Sequence, residues 1–133
     1  MSFPTAEECV KFHGHLCGGV TMGYVLSRYA MDKLGADRGA DLYCTAEFHN
    51  CMIDAVQCVT GCTMGKKNLV IEDKGNKAMT IVWKESGEGF RVSIDIKLPE
   101  GVSKSEAVEM ILASDPEQIC RAEAVKICIP ANE

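Results

Sequence analysis

Residues 90–98 constrain the fold more tightly than any other stretch of the chain. There Phe90, Val92, Ile94, Ile96 and Leu98 alternate with Arg91, Ser93, Asp95 and Lys97. Neighbouring side chains of a strand point to opposite faces, so this period of two demands a sheet with one face buried and the other in water. Upstream, residues 69–72 read as a short strand, 74–77 as a turn, and 78–84 as a strand whose Met79, Ile81 and Trp83 share a face. A Gly-containing turn at 85–89 joins that strand to the alternating one. The run predicts an antiparallel meander.

Helices fill most of the remainder. Thr5 and Glu8 form a capping box behind Pro4, so a short helix is expected to end at or before Gly14. Residues 19–34 are apolar on nearly every face and stop at Gly35, which predicts a largely buried helix. Within it Gly19, Gly23 and Ser27 form a stripe of small residues where another backbone can come close. A strand is expected over 42–48, and a helix over 51–59 with Asn50 as its N-cap. Ser103 and Glu106 form a second capping box, Asp115-Pro116 opens another short helix that includes Cys120, and 124–129 forms a last strand ended by Pro130. The order ααβαβββααβ predicts an α+β fold, one mainly antiparallel sheet with helices packed on it, as a single domain over 1–133.

The chemistry concentrates in His13-Gly14-His15-Leu16-Cys17-Gly18, which holds two of the three histidines in the chain. If this segment is extended, His13, His15 and Cys17 point the same way; if it is helical, only His13 and Cys17 share a face. Imidazole and thiolate donors suit zinc or a similar late transition metal better than magnesium or calcium. The glycines place Cys17 beside a helix N-terminus, where a thiol is acidified.

A second set of donors follows. On the 51–59 helix, Met52, Ile53, Val56 and Val59 form an apolar arc, while Cys51, Asp54, Gln57 and Cys58 form the opposite one. A solvated helix face normally carries lysine and glutamate, so this second arc reads as the wall of a polar cleft. The loop Thr60-Gly61-Cys62-Thr63-Met64-Gly65-Lys66-Lys67-Asn68 adds a thiol, hydroxyls and two ammonium groups. It is not a P-loop: Gly61 and Gly65 enclose too few residues, Lys67 stands where Ser or Thr would bind magnesium, and a helix precedes it.

Composition excludes several classes. A net charge of −5 without a basic tract argues against a nucleic-acid or membrane-surface partner. No apolar run approaches the ~20 residues needed to span a bilayer, and the N-terminus lacks the pattern of a signal peptide. A cytoplasmic protein is expected, with its eight cysteines serving as thiols or ligands rather than disulfides.

The two motifs, Phe12-His13-Gly14-His15-Leu16-Cys17 and Cys51-Met52-Ile53-Asp54-Ala55-Val56-Gln57 running into Thr60-Gly61-Cys62-Thr63-Met64-Gly65-Lys66, resemble the FmdE family. Its members are called the FmdE subunits of molybdenum or tungsten formylmethanofuran dehydrogenase. The resemblance covers roughly the first two-thirds of the chain and implies an α+β core and a dimer with a cleft lined by motif residues. It carries over to His13, His15, Cys17, Cys51, Asp54, Gln57, Thr60, Cys62 and Lys66. The chain departs from the family pattern at Gly18, where proline is usual, and at Lys67, where glycine is usual. The cysteine-rich zinc finger that some members append is not expected here.

The expectation is therefore a zinc-type ion held by His15, Cys17 and Cys62, with His13 and Cys51 as further donors. Asp54 would be a general base or a partner to a histidine, Lys66 would steady a developing negative charge, Gln57 would belong to the same catalytic group, and Gly18, Thr60 and Gly61 would contact a bound cofactor. Molybdopterin is not expected in this chain. A homodimer burying part of the 19–34 helix and a larger dehydrogenase complex are the expected partners. The competing readings are a non-catalytic module that binds a metal or cofactor and docks on a dehydrogenase, and a redox sensor using Cys17 and Cys62.

Overall fold

The computed structural model describes residues 3–14 and 17–129. Along the chain these form α1 (Ala6–His13), α2 (Gly18–Leu34), β1 (Leu42–Ala46), α3 (Met52–Thr60), β2 (Leu69–Ile71), β3 (Ala78–Trp83), β4 (Glu88–Ile94), α4 (Lys104–Ala113), α5 (Pro116–Ile119) and β5 (Cys120–Lys126). The element order matches the one the sequence predicts, and the fold is α+β. The strands form one sheet in the order β2-β1-β3-β4-β5, antiparallel except for the β1/β2 pair. Both capping boxes form: the Glu8 amide donates to the Thr5 hydroxyl and the Glu106 amide to that of Ser103.

Three elements differ from the sequence expectation. β2 pairs in parallel with β1 instead of joining the meander, Cys44 standing opposite Leu69. Because α3 lies between the two strands, the chain makes a βαβ crossover, and β1 becomes a central strand beside β3. The turn after β2 wraps the end of β1 instead of closing a hairpin, with the Lys74 and Asn76 amides both donating to the Glu47 carbonyl. β4 starts at Glu88 and leaves the ladder after Ile94, though Ile96 and Leu98 still pack on the core. Cys120 opens β5 instead of sitting in a helix, opposite Ile94, because α5 is a single turn held by the Asp115 cap and Pro116. β5 alternates small residues, Ala122 and Ala124, against Arg121 and Glu123, so its periodicity carries little hydrophobic contrast.

α2 is the hub. It touches α1, α3, α4 and α5 and lies on β4 and β5, so its apolar circumference is covered within the chain. Of its residues only Asp32 and Lys33 are exposed. The small-residue stripe receives α3: a Cβ added at Gly23 would lie 2.8 Å from the Met52 Cα and 2.9 Å from the Ala55 Cβ. No helix among the described residues is long and apolar enough to cross a membrane.

An ion pair ties β1 to β4 across β3. Arg91 Nε donates to Glu47 Oε2 at 2.8 Å and Arg91 Nη2 to Oε1 at 2.9 Å, while Asn76 Nδ2 reaches Oε1 at 3.0 Å. These hydrogen bonds, Arg91's foremost, outweigh burial and hold the Glu47 carboxyl down from 4.5 to about 2. A carboxyl more acidic in the folded than in the unfolded chain stabilises the fold fully above about pH 4.5, and that contribution fades as the pH falls through about 2. Glu47→Gln is accordingly expected to cost about 2 kcal/mol at pH 7, the shift discounted for the partly exposed guanidinium. Urea denaturation should show the gap to wild type closing between about pH 4.5 and 2; a gap that stays constant with pH would refute the assignment.

Candidate metal centre

The site lies where the C-terminus of α1 meets the N-termini of α2 and α3. α1 ends at His13 because Gly14 takes the left-handed conformation (φ +104°) and returns its amide to the Val10 carbonyl. The chain then enters α2 through Cys17, the N-cap, whose sulfur accepts the Val20 amide at 3.4 Å. Cys51 holds the equivalent position before α3; there the Asn50 side chain does the capping and accepts the Met52 amide at 2.9 Å. The ligand atoms of His13, Cys17 and Cys51 all lie within 4.8 Å of one another. Convergence therefore comes from a helix corner, neither the extended nor the helical geometry expected for the segment. His15 lies outside the described residues.

Two sulfurs at helix N-caps face the positive ends of two helix dipoles, which favours negative charge between them. Burial, and then the interaction with Cys17, push the Cys51 thiol up, so a cation binding between the sulfurs would have to displace that proton. Gly19 makes the approach feasible, since a Cβ there would stand 3.1 Å from the Cys51 Cβ. His13 Nδ1 is 2.8 Å from Asp54 Oδ2, a contact that holds the ring in place. Gln57 Nε2 donates to the other Asp54 oxygen at 3.5 Å, and Gln57 Oε1 accepts the Met64 amide at 3.2 Å. The 60–68 loop is thereby linked through Gln57 and Asp54 to the imidazole.

Cys62 stands apart from this group. α3 has nine residues, and at ~1.5 Å rise per residue its ends are ~13 Å apart, with Cys51 at one end and Cys62 beyond the other. Gly61 (φ +80°) ends the helix and turns Cys62 into the core, where its amide donates to the Thr60 hydroxyl and burial pushes its thiol up. Thr60 is itself buried, its hydroxyl donating to the Val56 carbonyl at 2.6 Å. Lys66 Nζ donates to the Gly61 carbonyl at 3.0 Å and so braces its own loop. Gly18 opens α2 with only Ile111 close to the place a Cβ would take. Cys58, on the polar arc with Cys51, lies beside the buried Cys9 instead. The loop sequence carries no sign that Cys62, its one cysteine, turns inward. The useful signal is in Asn50-Cys51, a cap dipeptide at the mouth of a helix.

Lys67 explains one departure from the family pattern, because its φ of +63° is the left-handed conformation that glycine adopts without strain. Lys67→Gly is expected to raise stability by about 0.5–1 kcal/mol by removing that cost. An unchanged or lower urea midpoint would show that the contacts of Lys67 outweigh it.

This layered α+β core with a His/Cys cluster at a three-helix corner belongs to the FmdE family. The family described as "FmdE, Molybdenum formylmethanofuran dehydrogenase operon" matches residues 12–127. Among solved structures, an FmdE-like protein of the tungsten formylmethanofuran dehydrogenase type from Syntrophus aciditrophicus is similar, with TM-score 0.68 and 26% identity over 96% of this chain and 78% of that one. A probable S-adenosyl-L-methionine-binding protein from Archaeoglobus fulgidus is 37% identical over 106 residues. That match covers 75% of this chain but only 29% of the relative, so the chain corresponds to one part of a longer protein.

Proposed function

We propose that this FmdE-family protein binds a zinc-type ion through the His13 imidazole, Cys17 Sγ and Cys51 Sγ, and serves as a subunit or accessory protein of a formylmethanofuran dehydrogenase. The convergence of one imidazole and two thiols within 4.8 Å carries the metal reading. Sulfurs each ~2.3 Å from a tetrahedral ion stand ~3.8 Å apart, so small side-chain rotations suffice. Three protein donors leave a position for water or a substrate atom, where the ion would act as a Lewis acid. Asp54 fixes the imidazole tautomer and orientation, and Gln57 steadies Asp54. The dehydrogenase role follows the family description and the Syntrophus neighbour; a homodimer and docking on a larger complex belong to the same proposal.

Elemental analysis of protein purified without an affinity tag tests the metal reading, with about one ion per chain expected. Metal-free protein that also fails to take up zinc would refute it. The Archaeoglobus relative supports a second reading, binding of S-adenosylmethionine, and calorimetric titration of the full chain with that nucleoside separates the two.

A further inference from the structure

We infer that Cys17 and Cys51 are a disulfide-forming pair, and that their oxidation by a peroxide is the reaction that empties the metal centre. Two features define the pair: each sulfur is within 4.8 Å of the other, and both residues are partly exposed. A disulfide requires the sulfurs to close to ~2.05 Å with Cβ atoms ~3.8 Å apart. The missing side chain of Gly19 permits this approach, because a Cβ there would meet both the Cys51 Cβ and the Cys17 sulfur.

Taking Cys17 first, its thiolate attacks one oxygen of hydrogen peroxide. The O–O bond breaks, hydroxide leaves, and Cys17 becomes a sulfenic acid. The Cys51 sulfur then attacks that sulfur: an S–S bond forms, the S–O bond breaks, and the departing hydroxide takes the Cys51 proton and leaves as water. Two electrons pass from the two sulfurs to the peroxide. A disulfide sulfur carries no thiolate charge, so two of the three donors are lost together and His13 alone cannot retain the ion. The metal-bound and oxidised forms exclude each other.

Cys9 and Cys58 provide an internal comparison. They too lie side by side, but Cys9 is fully buried, and burial first, then Cys58, push its thiol up to about 12. A fully buried thiol is out of a peroxide's reach, so this pair is expected to stay reduced under conditions that oxidise the first.

The disulfide stands on the thiol geometry, while the release of the ion rests on the proposed metal reading. The test treats the full chain, stripped with a chelator, with hydrogen peroxide in the presence and absence of saturating zinc, and maps linked peptides by mass spectrometry. A dithiothreitol-reversible Cys17–Cys51 link is expected, absent in Cys51→Ser and unaffected in Cys58→Ser, forming at least ~10-fold more slowly with zinc. Zinc that binds with no link forming would overturn the disulfide and leave the metal reading standing. A link that forms at the same rate with zinc, in protein that binds none, would support the disulfide and overturn the release. A link between Cys9 and Cys58 in its place would overturn the pairing.

Discussion

Cys17→Ser is expected to abolish stoichiometric metal binding and leave the protein folded. A thiolate gives zinc a charged, soft donor, whereas a serine hydroxyl would have to lose a far less acidic proton at neutral pH. Loss of a residue that only orients a ligand typically costs 10–100-fold in metal affinity, so removal of a direct donor should exceed ~10²-fold. The substitution is unusually benign for the fold, because serine is among the preferred N-caps and can accept the Val20 amide that Cys17 accepts now. Two other serine variants serve as controls. Cys120 lies at the start of β5, buried against Ile94, its thiol pushed up to about 12 by burial, and Cys120→Ser should keep its metal. Cys62→Ser should also keep it, while losing about 1–3 kcal/mol of stability for a hydroxyl placed in the core. Asp54→Asn should fall between, with weakened binding. Metal content measured beside thermal unfolding reads all four. Equal zinc in wild type and folded Cys17→Ser would remove His13–Cys17–Cys51 as the centre, and loss of zinc in Cys62→Ser would restore the ligand set that the motif spacing suggests.

Local chemistry made most of the fold legible in the sequence. Thr5, Ser103 and Asp115 cap their helices through bonds three residues or fewer away, and Gly35 ends α2, so each boundary is written in a few neighbouring residues. The position of β2 was not legible in this way, because strand order depends on which partner α3 delivers it to and not on anything in Leu69–Ile71. The site divides along the same line. Cys17 and Asp54 stood out by residue type and spacing, and the polar arc of α3 separated correctly from its buried face. Which cysteine lies beside His13 and Cys17 depended on the length of α3 and on the corner made by Gly14, neither of which is written in the cysteine spacing. The apolar circumference of α2 was legible as well, and it is a position at the centre of the helices that satisfies it.

Gly23→Ala should destabilise the protein by about 2–4 kcal/mol and weaken the metal centre at the same time. In an exposed helix the same change would stabilise by about 0.5–1 kcal/mol, since alanine loses less backbone entropy. Here the added methyl would stand 2.8 Å from both the Met52 Cα and the Met52 carbonyl oxygen, and 2.9 Å from the Ala55 Cβ. Backbone cannot rotate aside as a flexible side chain can, so α3 must move outward as a unit. Cys51 immediately precedes Met52, and a displacement there carries its sulfur away from Cys17. Gly18→Ala is the matched control: its methyl would meet only the Ile111 Cδ1 at 3.9 Å, an ordinary contact, and should be close to neutral. Urea denaturation gives the stability of both variants, and competition with a chromophoric chelator gives their zinc affinity. If Gly23→Ala matches or exceeds wild type in stability, the close α2/α3 contact is not what sets the spacing of the two sulfurs. A destabilised variant with unchanged zinc affinity would separate the packing from the site and place the control of that spacing in the helix caps instead.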